Sequence, residues 1–175
     1  TALINEYNLL IEKHYPPNQI LVINHSFDTR YSHSHLASHD KISEIKCENK
    51  DTLMSISPEI IKINNYRCIL INEGQFFDDI HKWITHLIDN NVNINIIVSG
   101  LDSDYKQKPF GKFLHIIPYC NKIEKLTSIC GYCSQKTAQL TIRLTSEKRR
   151  VVVGNEDIYK PICNYCLANK QNLIM

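Results

Sequence analysis

Two pairs of cysteines carry the plainest chemistry in this sequence. Cys130-Gly-Tyr-Cys133 and Cys163-Asn-Tyr-Cys166 each set two thiols across one tight turn. Two intervening residues let both sulfurs of a pair aim at one point. Two such knuckles supply the four-sulfur tetrahedron that Zn²⁺ favours, with Zn–S distances of about 2.3 Å. Four protein sulfurs leave no position open for a substrate, so the zinc expected at Cys130, Cys133, Cys163 and Cys166 is structural. Redox dithiols or buried free thiols are the alternative. The total of seven cysteines is odd, and no basic and apolar leader opens the chain, which fits a reducing compartment better than a disulfide framework.

A second group of reactive side chains follows three expected strands. Ser26-Phe27-Asp28-Thr29-Arg30 comes after residues 20–23, Asn72-Glu73-Gly74-Gln75 after residues 68–71, and Gly100-Leu101-Asp102 after residues 93–98. In open parallel sheets ligands collect at the carboxyl ends of the strands. Asp28, Arg30, Glu73 and Asp102 are therefore expected on one rim. A carboxylate there suits a general base or support for a metal ion, and an arginine suits developing phosphoryl charge. Taken singly, each is better explained as a turn former or helix cap, and three strand ends carrying such groups together weaken that explanation.

The elements that must position these groups are legible from periodicity. Leu3, Ile4, Tyr7, Leu10 and Ile11 form a helical stripe ended by Pro16-Pro17. Residues 20–23 and 68–71 read as strands buried on both faces, and 93–98 as a third strand. Ser57-Pro58 starts a helix, and Ile80, Trp83, Ile84, Leu87 and Ile88 mark another within 77–89. A helix is expected over 110–117 and a short strand over 122–126. Residues 25–49 read as a polar, histidine-rich loop with one short strand near its end. Between the knuckles, 139–144 and 149–153 are expected to pair as a long hairpin. Helix alternating with buried strand predicts an α/β fold with a parallel sheet over residues 1–127. A small zinc-binding domain follows over 128–175.

Composition excludes several classes. Lys plus Arg is 20 and Asp plus Glu is 18, a net charge of +2, which argues against a protein that works by neutralising nucleic-acid phosphates. The apolar runs are far short of the roughly 20 residues a membrane helix needs, so no membrane partner is expected. At 43% hydrophobic and 22% charged, the chain belongs with ordered globular proteins.

Asp28-Thr29-Arg30-Tyr31, Glu73-Gly74-Gln75-Phe76-Phe77, Lys108-Pro109-Phe110-Gly111 and the two knuckles, in that order along essentially the whole chain, resemble the type II thymidine kinases, the small cytosolic, zinc-containing family. The resemblance implies a RecA-like P-loop core with a zinc-anchored lasso lid. It also implies transfer of the ATP γ-phosphate to the 5′-hydroxyl of thymidine. By position, Glu73 matches the catalytic base, and Asp28 and Arg30 match the pair near the phosphates and Mg²⁺. Phe76, Leu101, Tyr105 and Phe110 match the apolar wall around thymine. Thr141 and the backbone of Val151, Val152, Val153, Gly154 and Asn155 match the row that hydrogen-bonds the pyrimidine. Tyr159 matches the lasso tyrosine. The family further implies thymidine and ATP as substrates, dTTP as a feedback ligand, a homotetramer and a cytoplasmic setting.

The sequence departs from the family in three places. No G-x-x-x-x-G-K-[ST] loop occurs, so the P-loop and the first strand are expected upstream of Thr1, and the chain by itself is expected to be inactive. Asn72 stands where the family has the aspartate that helps hold Mg²⁺. Gly154-Asn155 replaces Gly-Gly. Apart from these three, Tyr105 stands where relatives often have Phe, and its hydroxyl needs a partner or water. Two other readings compete: a catalytically silent relative, and a zinc-ribbon module touching nucleic acid through Tyr132, Tyr165 and the run Lys148-Arg149-Arg150. His33, His35 and His39 read as a solvated loop before a metal site.

Overall fold

The run Ile-Leu-Val-Ile-Asn-His forms strand β1 (Ile20–His25), buried along nearly its whole length. A strand in that position needs partners on both sides. It pairs in parallel with β5 (Cys68–Ile71) and with β4 (Glu48–Lys50), and β5 pairs in parallel with β6 (Asn95–Val98). The sheet order is β4-β1-β5-β6. This is the parallel sheet expected from the sequence. The computed structural model describes residues 2–28, 34–37, 44–152, 154 and 157–169. The chain divides into two compact units, Thr1–Asp102 with Gly111–Pro118, and Ser103–Phe110 with Tyr119–Met175.

Alternation sorts the sheet residues of the first unit into two apolar layers. Ile20, Val22, Cys68 and Leu70 face one side and meet Leu3 and Ile4 of helix α1 (Ala2–Glu12), with Tyr7, Leu10 and Ile11 along its stripe. Leu21, Ile23, Ile69 and Ile71 face the other. They meet Ile61 of α2 (Pro58–Ile63) and Ile80, Trp83, Ile84 and Leu87 of α3 (Ile80–Asp89). Trp83 is fully buried, and its indole N–H donates to the Ile56 carbonyl at 2.8 Å. Helix α2 begins where Ser57 and Pro58 indicate. The Ser57 hydroxyl accepts from the Ile60 N–H at 3.4 Å, satisfying one of the unpaired first-turn donors. Ser57→Ala is expected to lower stability by about 1 kcal/mol, read as a shift of the urea midpoint at unchanged m-value. No helix among the described residues is long and apolar enough to cross a membrane.

Four local expectations are corrected. The loop expected over 25–49 holds an antiparallel pair, β2 (His35–Ala37) with β3 (Glu44–Lys46), as well as the edge strand β4. Each of these strands is three residues long. β2 and β3 bury one apolar residue apiece, Leu36 and Ile45, too few to reveal a period. The helix expected over 110–117 is a 3-10 segment, Phe113–Tyr119, that runs through Pro118 and buries only Ile116, so no amphipathic stripe stabilises an α-helix. Residues 122–126 form no strand and are exposed throughout. The two-residue strand β7 (Ser128–Ile129) pairs with β8 (Thr137–Ala138) instead.

The fourth correction concerns the hairpin of the second unit. Strand β9 (Leu140–Arg143) pairs antiparallel with β10 (Tyr159–Ile162), with Arg143 opposite Tyr159 and Leu140 opposite Ile162. The segment 149–152 does not join this ladder. Its carbonyls turn inward on the Arg143 side chain, which removes them from strand pairing. A short helix, α4 (Asn164–Ala168), follows and carries the last cysteine.

Candidate functional site

In the first unit the polar groups gather at the carboxyl ends of adjacent strands. Asn24 is the penultimate residue of β1, Asn72 follows β5 and Ser99 follows β6. The Asn72 amide donates to Asn24 Oδ1 at 3.0 Å, and its Oδ1 accepts from the Ser99 hydroxyl at 3.1 Å. Three neighbouring strands are thus tied by an uncharged row, with Asn72 engaged through both ends of its amide. Asp28 lies just beyond β1, buried to 4% exposure, with its N–H donating to the His25 carbonyl at 2.9 Å. Burial and the Asp28 carboxylate push the nearby Cys47 thiol up to about 11. Burial, with a smaller contribution from Glu6, does the same for Cys68. Both therefore remain protonated packing residues.

Glu73 follows directly and is held in the left-handed region, φ 54° and ψ 41°, where a side chain other than glycine is uncommon. The turn after it is built around Gln75, whose Nε2 donates to Glu73 Oε2 at 2.5 Å. Gln75 Oε1 accepts from the Leu101 N–H at 2.9 Å. Phe76 stacks near His25 and Phe27, with ring centroids 5.6 and 5.3 Å away. Burial pushes the His25 imidazole below its usual range, against the pull of Asp51. Asp102 ends this group, following Leu101, which is half exposed. The structure thus links Asn72 to the ends of β1 and β6 and, through Gln75, Glu73 to Leu101, while Asp28 and Asp102 follow β1 and β6 along the chain. Arg30 lies outside the described residues.

In the second unit one buried cation organises the loop between β9 and β10. Arg143 is 7% exposed. Its Nη1 donates to the carbonyls of Glu147, at 2.9 Å, and Arg149, while Nη2 donates to the Arg150 carbonyl at 3.0 Å and to the Tyr159 hydroxyl at 2.7 Å. The Tyr159 hydroxyl in turn donates to the Val152 carbonyl at 3.0 Å. The guanidinium carbon stands 3.8 Å from the Tyr105 ring centroid, a cation–π stack. Asp104 fixes the preceding turn, its Oδ1 accepting from the N–H groups of Lys106 and Lys108 at 2.9 and 3.0 Å. Its Oδ2 meets Arg150 Nε at 2.9 Å. Burial pushes the Asp104 carboxyl up, but these two amides and the arginine outweigh it and hold it below the usual carboxylate range.

Tyr105, Phe110, Thr141, Val151, Val152, Gly154 and Tyr159 therefore all belong to the second unit. Phe110 is buried with Arg150 above it at 5.5 Å, and the Thr141 carbonyl accepts from Gln107 at 3.5 Å. Gly154 has no room for a Cβ, which would stand 2.3 Å from Ile158 Cδ1. Val153 and Asn155 lie outside the described residues, as do His33 and His39. Sequence reasoning missed Gln75, Asp104, Arg143 and Arg150 as site-building residues. The one available signal was an arginine inside the otherwise uncharged strand Leu-Thr-Ile-Arg.

The four knuckle cysteines converge. Their sulfurs all lie within 4.8 Å of one another. The Cys163 N–H points at Cys130 Sγ and the Cys166 N–H at Cys163 Sγ, both at 3.4 Å. Burial pushes the Cys130 thiol up, but the amides of Cys133, Cys163 and Tyr132 outweigh it and bring it down to about 6. Burial and the neighbouring sulfurs push Cys166 up to about 12. Ala138, Ile142 and Ile162 pack around the sulfurs. Four convergent sulfurs with amides directed at them fit a closed tetrahedral ion, and zinc is the ion whose chemistry matches.

Comparison with known proteins gives one family. The family model described as thymidine kinase matches residues 1–167. "Thymidine kinase a" of Arabidopsis thaliana is 35% identical over 147 residues, covering 82% of this chain and 60% of that protein. "Thymidine kinase, cytosolic" of Homo sapiens is 34% identical over 150 residues, covering 86% of this chain and 61% of that protein. "Thymidine kinase" of Mycoplasma mobile is 33% identical over 151 residues, covering 83% and 70% respectively. The chain thus spans about three fifths of the length of the plant and human relatives.

Proposed function

This chain belongs to the thymidine kinase family, and from that premise we propose that it serves an ATP-dependent kinase that phosphorylates the 5′-hydroxyl of thymidine to give dTMP. The observation that carries the reading is Glu73, an acid at the carboxyl end of a central parallel strand, fixed by its backbone and by Gln75. In this reading Glu73 takes the proton of the 5′-hydroxyl. The freed oxygen attacks the γ-phosphorus, and the bond to the β-phosphate oxygen breaks with ADP leaving. ATP supplies the phosphoryl group and Mg²⁺ neutralises its charge when both are bound.

Asp28 and Arg30 serve the phosphate and metal side. Asn72, with its amide engaged by Asn24 and Ser99, adds no charge there, so Asp28 is the carboxylate assigned to Mg²⁺. Phe76, Leu101, Tyr105 and Phe110 serve the thymine ring. The main chain of Val151, Val152, Val153, Gly154 and Asn155, with Thr141, presents hydrogen-bonding groups to its edge. Tyr159 has its hydroxyl already committed to Arg143 and Val152, so it contributes its ring face. The four cysteines hold structural zinc. A homotetramer, dTTP as an end-product ligand and a cytoplasmic setting complete the proposal.

The test uses the product of the complete reading frame with ATP, Mg²⁺ and labelled thymidine. Thymidylate should form, and Glu73→Gln should lower kcat by about 10²- to 10⁴-fold, the usual contribution of a general base, with thymidine still bound. A parent protein that binds nucleotide yet makes no thymidylate would overturn the reading. It would favour a silent relative.

A further inference from the structure

We propose that Gln75 is a positioning residue for Glu73, fixing the carboxylate of the base and tying it to the loop that carries Leu101. The inference rests on the reading of Glu73 just given and extends it to a residue to which no role has been assigned. Gln75 is 2% exposed, among the most deeply buried polar side chains of the protein. Its two ends face groups of opposite kind. Nε2 stands 2.5 Å from a carboxylate oxygen that accepts, and Oε1 stands 2.9 Å from a backbone N–H that donates. Only one orientation of the amide serves both, so the assignment of nitrogen and oxygen follows from the partners. A side chain of this length with a donor at one tip and an acceptor at the other is glutamine. Glutamate offers two acceptors, and methionine offers neither function.

The backbone around Gln75 is shaped to the same end. A Cβ on Gly100 would stand 2.6 Å from Gln75 Oε1, and one on Gly111 would stand 2.1 Å from the Gln75 carbonyl oxygen. Gly111 is also in the left-handed region, φ 59°. Two of the five glycines thus exist where two loops close directly on this one residue. The Gly74 N–H donates to the Ser99 carbonyl at 2.9 Å, fixing the same turn to the end of β6. A left-handed Glu73 is held against its own preference by these contacts, and the amide of Gln75 selects where its carboxylate points.

The experiment compares Gln75→Glu with the parent in the complete protein. This variant keeps an acceptor for the Leu101 N–H, but it removes the donor to Glu73 and sets a second carboxylate against that oxygen. We expect kcat for thymidine to fall at least tenfold, with KM changed less than twofold. In a Glu73→Gln background the same substitution should cause no further loss, because it acts through Glu73. The ¹³C side-chain carboxyl resonance of Glu73, assigned by its disappearance in Glu73→Gln, should move in Gln75→Glu. It should move also in the uncharged Gln75→Met, which serves if Gln75→Glu folds poorly. An unchanged kcat, an equal loss in both backgrounds, or an unmoved Glu73 resonance would overturn the proposal. If the parent makes no thymidylate, the functional reading falls by itself, and the resonance alone decides whether Gln75 holds Glu73.

Discussion

Removing the ion from the four-cysteine centre is expected to unfold the second unit and leave the parallel sheet of the first intact. The apolar cluster around the knuckles is small. Ala138, Ile142 and Ile162 are buried with the cysteines, and Tyr132, Leu140 and Leu167 pack against them. The strands there are only two to four residues long. So little burial cannot offset the conformational entropy of the residues ordered, at roughly 1–2 kcal/mol for each backbone. Zinc centres of this kind supply on the order of 10 kcal/mol or more of apparent folding free energy in isolated modules. Four sulfurs within 4.8 Å of one another also lose the charge that holds them together once the ion leaves. The first unit has two apolar layers of its own and owes nothing to these sulfurs. Elemental analysis should find one zinc per chain, reduced in Cys163→Ser. After chelation, amide exchange should accelerate through β9, β10 and α4 while β1 and β5 stay protected. Protection lost equally in both units, or in neither, would contradict this account.

That contrast also explains which parts of the protein were legible beforehand. Strands β1 and β5 announce themselves because burial on both faces demands unbroken apolar runs, and the helices because a stripe must recur every three or four residues. The knuckles announce themselves because a metal fixes spacing directly. What periodicity cannot carry is a segment stabilised by one side chain reaching many backbone groups. The stretch 147–152 is of that kind. Val151 and Val152 look like strand residues, yet their neighbours' carbonyls are bonded to Arg143 rather than to β9. The candidate base was legible from its place after β5. Its support was not, because a glutamine serving two partners leaves no pattern in sequence. Likewise the row Asn24, Asn72 and Ser99 joins partners 48 and 27 positions apart, connected only once strand order is known.

Replacing Arg143 is expected to open the loop between β9 and β10 without unfolding the strands beneath it. The guanidinium serves three carbonyls and the Tyr159 hydroxyl, and it stacks on Tyr105. Methionine fills similar length but donates nothing, so carbonyls of Glu147, Arg149 and Arg150 would each lose their charged partner. Hydrogen bonds to a charged group are worth roughly 1.5–3 kcal/mol each. Part of that returns when the loop opens to water. A net local loss of about 3 kcal/mol raises the open population by roughly two orders of magnitude. Lysine keeps the charge but offers one point in place of a planar fork, and should recover little of the loss. Trypsin reads the outcome directly, since Lys148, Arg149 and Arg150 sit within the loop. Cleavage there should accelerate about a hundredfold in Arg143→Met, in step with the population of the open form. The Leu144 N–H, which donates to the Ile158 carbonyl at 2.8 Å, should exchange faster. The N–H groups of β10 that face β9 should change little. Because Tyr159 and Val152 are held through the same guanidinium, thymidine KM should rise in Arg143→Met far more than kcat falls. In the proposed function that division separates a residue shaping the β9–β10 loop from one supporting Glu73, and unchanged cleavage with unchanged KM would remove Arg143 from any role in holding that loop.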